Sequence, residues 1–498
     1  MFEASHPFAF FDYFRVPYRV VSLAAVPRWC GRLEASAHGA GGPFLVWPRF
    51  SALAASELAG VLAPGEFAID GVRGYGRLVP DGLARRWLDD ATSPWRPTSP
   101  VRDRRGEVVA SVWEDRQGSR FLPFEPDEVI TSYWTERYRA VAPGSRLAGV
   151  RRLGLRAYYR VRPFVPRSLQ IRLRRRLSCV QARSAFPRWP VETALHDFYA
   201  RLFRWVADVA DGPVPYIAPW PAGRSWALVL THDVETRAGY DDISRLRRLE
   251  TELGYRSSWN FVPKRYDVEP DLVDDLTASG FEIGVHGLYH DGRDLESLPI
   301  LRQRLPAIRE HARRWGAVGF RSPATHRNWD WMPLLGFDYD SSYPDTDPFE
   351  PQSGGCCSWL PFFNRDLVEL PITLPQDHTL FTILGHQNER VWVDKAERVK
   401  AAGGMALLIT HPDYCTTGPG LAAYRALLTR YQNDSSAWPA LPRDVSAWWR
   451  RRQASRLEPT ASGWTVVGPA AAEANVAFAA TGWSPSVSPL SGVSRQEQ

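Results

Sequence analysis

Ala227-Leu-Val-Leu-Thr-His-Asp-Val-Glu235 is the stretch that decides the fold. An apolar run, preceded by the turn-forming Pro221-Ala-Gly-Arg-Ser225, has the length and flanks of a buried strand. Thr231, His232, Asp233 and Glu235 follow it at once. Two later segments repeat the pattern. FEI (281–283) leads into Gly284-Val-His-Gly-Leu-Tyr-His290, and Met405-Ala406 into Leu407-Leu-Ile-Thr-His411. In sheets built from strand–helix repeats, the loops at the carboxyl ends of strands form the active site, so polar residues concentrated there read as chemistry.

Outward from this stretch, strands and helices alternate. DDISRLRRLETELG (241–254) predicts a helix, SSWNFV (257–262) a strand, EPDLVDDLTASG (269–280) a helix and FEIGV (281–285) a strand. A helix near 296–315, a strand AVGF (317–320), a helix around WMPLLG (331–336) and strands in LVELPI and MALLIT complete the series. Such alternation predicts an α/β domain with a parallel sheet and crossover helices over 226–445. Residues 1–145 read as a separate β-rich domain, because short apolar stretches (43–50, 106–115, 119–126) are split by Pro- and Gly-rich turns. Residues 146–225 read as an Arg-rich connector followed by a helix. Residues 446–498 read as a small β appendage around Gly463-Trp464 and Gly482-Trp483, with a disordered end.

The composition bounds the function. A chain of 498 residues, 44% hydrophobic and 23% charged, buries a core without metal or disulfide staples, so a metal here is expected to be catalytic. Cys30, Cys179, Cys356, Cys357 and Cys415 make no disulfide framework and fit a reducing compartment. No apolar run reaches 18 residues, and MFEASHPFAFFDYFRVPYR lacks the basic-then-apolar order of a secretory signal. A cytoplasmic protein is expected, with peripheral contact at the inner membrane face. The net charge of +6 is concentrated between Arg146 and Arg176, where eleven arginines occur with no acidic residue. The stretch suits an anionic lipid face or a pyrophosphate-linked glycan, and equally a basic surface helix paired with acids elsewhere. No nucleic-acid partner is expected.

His286 and His290 are four residues apart, so they can project the same way and grip one cation. Two imidazoles and a carboxylate suit zinc first, and also cobalt, nickel or manganese. Most isolated HxxxH pairs are surface or capping histidines; an acid-bearing strand end upstream is what turns this pair toward metal.

The segment from about 226 to 415 resembles the polysaccharide deacetylase family (NodB homology domain, carbohydrate esterase family 4). Thr231-His-Asp-Val-Glu235 matches the family's TxDxD-type first motif, and His286-Gly-Leu-Tyr-His290 its H(S/T)xxH motif. Phe320-Arg-Ser-Pro-Ala324 matches the Arg–Pro motif, and Leu408-Ile-Thr-His411 the LxxH motif, all in family order. The resemblance implies a distorted (β/α) barrel that removes acetyl groups from an amino sugar or glycan; with no secretory signal, a glycan or lipid-linked sugar of surface-polysaccharide assembly is the expected substrate. It implies Asp233 as general base, Glu235, His286 and His290 as ligands of one divalent metal, and His411 as general acid. Arg321 would orient Asp233, and the turn at Pro323 and Ala324 would offer an oxyanion N–H.

Two departures matter. Val234-Glu235 stands where many members carry adjacent aspartates, which leaves open whether Asp233 or Glu235 is the carboxylate ligand. Gly287 replaces a hydroxyl residue that usually buttresses the metal loop. The Val234-Glu235 departure keeps alive the reading of an inactive glycan-binding scaffold, and because the same superfamily site acts on other C–N bonds, a deformylase or other C–N amide hydrolase is the second alternative. Asp377 reads as a partner of His411 or a turn residue, and His232 and His326 as substrate contacts or pocket walls. Trp329, Trp331 and Trp359 read as sugar platforms or core.

Overall fold

The structure, a computed structural model, describes residues 1–23, 27, 29–36, 41–89, 94–141, 175–176, 178, 181 and 185–479. The strand Trp226–Val234 lies one strand from the end of the second sheet and is buried along its whole length. One edge pairs in parallel with Met405–Thr410. The other pairs with Ala437–Ala440 near its start and with Ser258–Phe261 near its end. From Ser258–Phe261 the sheet continues through Glu282–His286, Gly319–Arg321, Tyr339–Asp340 and Leu367–Glu369 to an antiparallel edge at Phe362–Asn364.

A parallel sheet buried on both faces needs continuous apolar strands, which is why these segments do not alternate. The sheet curls into a half-barrel. Its far end returns to the beginning, because the Thr373 and Leu374 amides donate to Leu407 O at 3.2 and 3.0 Å.

The crossover helices follow the sequence with adjustments. The segment 241–254 forms the helix Ile243–Glu252, and a short helix not expected from the sequence, Arg237–Asp241, precedes it. The long helix Leu298–Trp315 starts at Ser297, whose hydroxyl accepts from the Ile300 amide, and stops at Gly316 in the left-handed conformation. The helix expected at 331–336 is only a 3₁₀ turn, Met332–Leu335, ended by Gly336 at φ 75°.

Residues 2–121 form a nine-stranded, mostly antiparallel sheet, with helices Ala9–Phe14, Asp81–Leu88 and Pro126–Trp134 on or after it. The β-rich expectation did not include these helices, the first of which is only six residues long and buries Phe10, Phe11, Tyr13 and Phe14. The helix Ala194–Ala210 packs beside them: Phe203 lies 4.8 Å from Phe10, centroid to centroid, and Phe198 lies 5.9 Å from Phe124. Further contacts tie this unit to the second sheet. Trp134 stacks on Phe362 at 5.2 Å, and the buried Arg452 guanidinium donates to the carbonyls of Tyr13, Phe14 and Ile217. Buried apolar side chains from both sheets join in one continuous cluster, while Cys30, Val46, Trp113 and Phe121 of the first sheet belong to a second, separate one.

Beyond the helix Pro442–Gln453, a hairpin joins Arg456–Thr460 to Gly463–Val467, and Val476–Ala479 pairs with Val214–Ile217. Gly482-Trp483 and the end expected to be disordered lie outside the described residues, as does the Arg-rich stretch up to Arg174. Among the described residues, no helix is long and apolar enough to cross a membrane, and Cys30, Cys356, Cys357 and Cys415 are buried and free.

Candidate active site

Strand alternation sends Thr231 and Asp233 to one face of the sheet and His232 to the other. Asp233 is paired in register with Asn260 on the neighbouring strand. Its Oδ1 accepts from Asn260 Nδ2 at 2.8 Å and from Arg321 Nη1 at 2.9 Å. Arg321 is itself fixed: Nη1 also donates to Thr231 Oγ1, Nε to Ser341 O and Nη2 to Ser341 Oγ, each at 2.8 Å. Burial alone would raise the Asp233 pKa. The guanidinium, with His286 and His411 behind it, outweighs that and brings it to about 2.

Glu235, His286 and His290 offer ligand atoms that all lie within 4.8 Å of one another. His286 Nδ1 sits 3.1 Å from Arg321 O and donates to it, which leaves Nε2 as the lone-pair nitrogen. That buried Nε2 has no hydrogen-bond partner among the described residues, and burial lowers the ring's pKa to about 4. Its Nε2 is 3.9 Å from Asp233 Oδ2. His290 Nε2 is 3.0 Å from Glu235 Oε1, and its Nδ1 accepts from Arg265 Nη1 at 2.8 Å. Burial disfavours ionisation of Glu235, but the three surrounding histidines pull its pKa well below the ordinary range. A buried, unpartnered imidazole nitrogen converging with a second imidazole and a carboxylate fits a borderline divalent cation.

The loops that carry these donors are built tightly. Asp413 accepts the Glu235 amide at 3.2 Å and the Thr236 hydroxyl, and a Cβ at Gly239 would come within 2.2 Å of its carboxylate. Gly287 has φ 64°, and a Cβ there would lie 2.5 Å from Asp294 Oδ2 and 2.6 Å from Pro323. The buttress expected from a hydroxyl at 287 is supplied by Asp294, which accepts the Leu288 amide at 3.0 Å and is held by Arg304 at 2.7 Å.

His411 ends the strand Met405–Thr410. Asp377 Oδ1 lies 2.6 Å from its Nδ1, and Asp377 Oδ2 accepts its backbone N–H at 2.8 Å. His411 Nε2 points into the site, 3.8 Å from Glu235 Oε1. Burial would depress the imidazolium; Asp377 first, then Glu235 and Asp233, raise its pKa to about 10.

Other residues singled out in the sequence fall in different places. His232 is fully buried behind the sheet, with Nδ1 2.7 Å from Thr410 Oγ1 and Nε2 2.6 Å from Glu250 Oε1. It is therefore core and touches no substrate. Trp359 is also fully buried and donates to Asp345 Oδ2 at 2.9 Å, which removes it as a sugar platform. Pro323 and Ala324 sit in a turn next to the histidine loop, Ala324 at φ 54° and Thr325 at φ 49°. Burial lowers the pKa of His326, on the same turn, to about 4. Asn260, Asp294 and Asp413 were not anticipated. Only Asn260 carried a signal, a polar residue near the end of a predicted buried strand.

No family model and no curated protein matches the chain. Among solved structures, it is similar to a candidate polysaccharide deacetylase of Mycobacterium smegmatis (20% identity, TM-score 0.40), over 49% of this chain and 97% of that one. It is similar to PuuE allantoinase at 16% identity and TM-score 0.39, over 46% and 92% of the two chains. The peptidoglycan deacetylase PdaC of Bacillus subtilis is similar at 11% identity and TM-score 0.31, over 46% and 94%.

Proposed function

We propose that this protein is a metal-dependent amidohydrolase that removes the N-acetyl group of an amino sugar in a glycan or lipid-linked sugar. The observation that carries the reading is the placement of two proton-handling groups within 4 Å of the donors of one three-donor cluster. The ionised Asp233 stands 3.9 Å from His286, and the protonated His411 stands 3.8 Å from Glu235. A divalent cation held by Glu235, His286 and His290, zinc being the best match to the donors, supplies Lewis acidity that acidifies water and polarises an acyl oxygen.

The residues divide the remaining work. Asp233, kept as carboxylate and aimed by Arg321 and Asn260, takes a proton from the attacking water as its oxygen bonds to the acetyl carbon. The Ala324 N–H would donate to the oxygen of the resulting tetrahedral species. His411, kept as imidazolium by Asp377, gives its proton to nitrogen as the C–N bond breaks, so acetate and a neutral amine leave. An amine needs that proton far more than an alcohol does, which favours N- over O-deacetylation. The sugar comes from the four motifs matching the deacetylase family in order. Glu235 lies in the histidine group while Asp233 is committed to Arg321, which favours an active enzyme over a scaffold. The test is direct: protein purified without chelator should hold one divalent cation per chain and release acetate from N-acetylated oligosaccharides. A chain that binds no metal and releases no acetate from any such sugar refutes the proposal.

A further inference from the structure

From the geometry we infer that the N-terminal unit supplies a positioning residue, Glu136, that acts through Arg327 on the turn carrying Ala324; this rests on the proposed deacetylase reading. Glu136 follows the helix Pro126–Trp134 and has φ 55°, a strained conformation for a glutamate. Its carboxylate forms a two-pronged pair with Arg327, Oε2 accepting from Nε at 3.0 Å and Oε1 from Nη2. Both side chains are buried, to 4% and 1% exposure.

A buried carboxylate and guanidinium are costly to desolvate, so a pair of this kind is retained where it fixes a geometry. Here the geometry is that of the Pro323–Thr325 turn. Arg327 Nη1 donates to Thr325 O at 3.0 Å and to Gln352 O at 3.1 Å, while its own amide and carbonyl are clamped by the Gln352 side chain at 3.0 Å. Ala324 and Thr325 both stand in the left-handed region, a conformation that non-glycine residues hold only when their surroundings impose it. Arg327 is the group that grips the carbonyl of the second. Tyr138 anchors the same junction: its hydroxyl donates to Gly355 O at 2.6 Å and accepts the Gly355 amide at 2.9 Å. The N-terminal sheet is thus bolted to the loop that places the oxyanion N–H, so the 1–141 unit belongs to the catalytic apparatus.

Glu136→Gln and the milder Glu136→Asp in the full chain test this, with metal content, steady-state kinetics and amide hydrogen exchange measured together. The expected result is kcat reduced by about 100-fold in Glu136→Gln, as for a misplaced catalytic group, with KM and bound metal unchanged. Exchange should quicken at residues 324–327, with Glu136→Asp intermediate in both readouts. A folded Glu136→Gln that keeps wild-type kcat and wild-type exchange at the turn overturns the inference and leaves the deacetylase reading intact. Wild-type protein that releases no acetate, while Glu136→Gln still quickens exchange at 324–327, overturns the deacetylase reading and supports the coupling between Glu136 and the turn.

Discussion

Asp377 holds His411 at two points, its Oδ1 2.6 Å from the ring Nδ1 and its Oδ2 accepting the backbone N–H at 2.8 Å. The double grip fixes both the rotation of the imidazole and its charge, and leaves Nε2 facing the cluster. It also makes Asp377 the largest of the influences that raise the His411 pKa to about 10.

Asp377→Asn therefore has a signed effect. The proposed acid acts while protonated, so activity falls as pH rises through the His411 pKa. Removing the Asp377 charge lowers that pKa, and the basic limb of the kcat–pH profile should move to lower pH. At neutral pH kcat should fall by about 10²-fold, within the range of general-acid losses, with metal content unchanged. A basic limb that stays in place in Asp377→Asn would remove His411 as the acid.

The metal cluster is tested by His286→Ala. The His286 Nδ1–H is donated to Arg321 O at 3.1 Å, so the Nε2 donor is fixed in direction before any cation arrives. Losing one of three protein donors should cost at least 10-fold in affinity for zinc, by analogy with the smaller effects of outer partners. Titration with a chelating dye measures it. Unchanged affinity in His286→Ala would place the cation elsewhere.

The features legible in the sequence are those decided within one segment. The strand Trp226–Val234 is buried on both faces, so it had to be an apolar run, and the polar residues after it stood out. The same holds for His286, His290 and His411. What escaped depends on segments far apart in the chain. Asn260 meets Asp233 through strand register, Asp413 meets the Glu235 amide from the turn after the neighbouring strand Met405–Thr410, and Glu136 meets Arg327 across two units of the fold. None of these pairs has a spacing rule. His232 misled for a related reason: it sits inside the most chemical-looking motif, but the period-two alternation of a strand turns it to the opposite face from Asp233.

Gly284 gives a prediction that only the register reveals. It is paired with Asn260, and a Cβ at 284 would lie 2.0 Å from Asn260 Oδ1. Gly284→Ala should push the amide off Asp233, whose Oδ1 it reaches at 2.8 Å, and loosen the proposed base. The expected outcome is a loss of roughly 10-fold or more in kcat with zinc affinity kept. Asn260→Ala should reproduce it, and adding Gly284→Ala to Asn260→Ala should cost little more. Fully additive losses in kcat would mean that Gly284 acts by another route.

Glu282 provides a stability test independent of the chemistry. It begins the strand Glu282–His286, fully buried, with Oε1 accepting from the Tyr339 hydroxyl at 2.7 Å and Oε2 from the Arg443 amide at 3.0 Å. Burial outweighs both hydrogen bonds and raises its pKa from 4.5 to about 7. The folded chain thus holds this proton more tightly than the unfolded chain does. Between pH 4.5 and 7 the folded state binds more protons, so stability falls as pH rises through that window. The full penalty, about 3 kcal/mol at one pKa unit per 1.36 kcal/mol, persists above pH 7. Glu282→Gln cannot ionise and still accepts from one of the two donors. Its urea midpoint should therefore decline less than the wild type's between pH 4.5 and 8, and exceed it at pH 8. If the two proteins lose stability in parallel over that range, Glu282 is ionised in the fold and the burial argument fails.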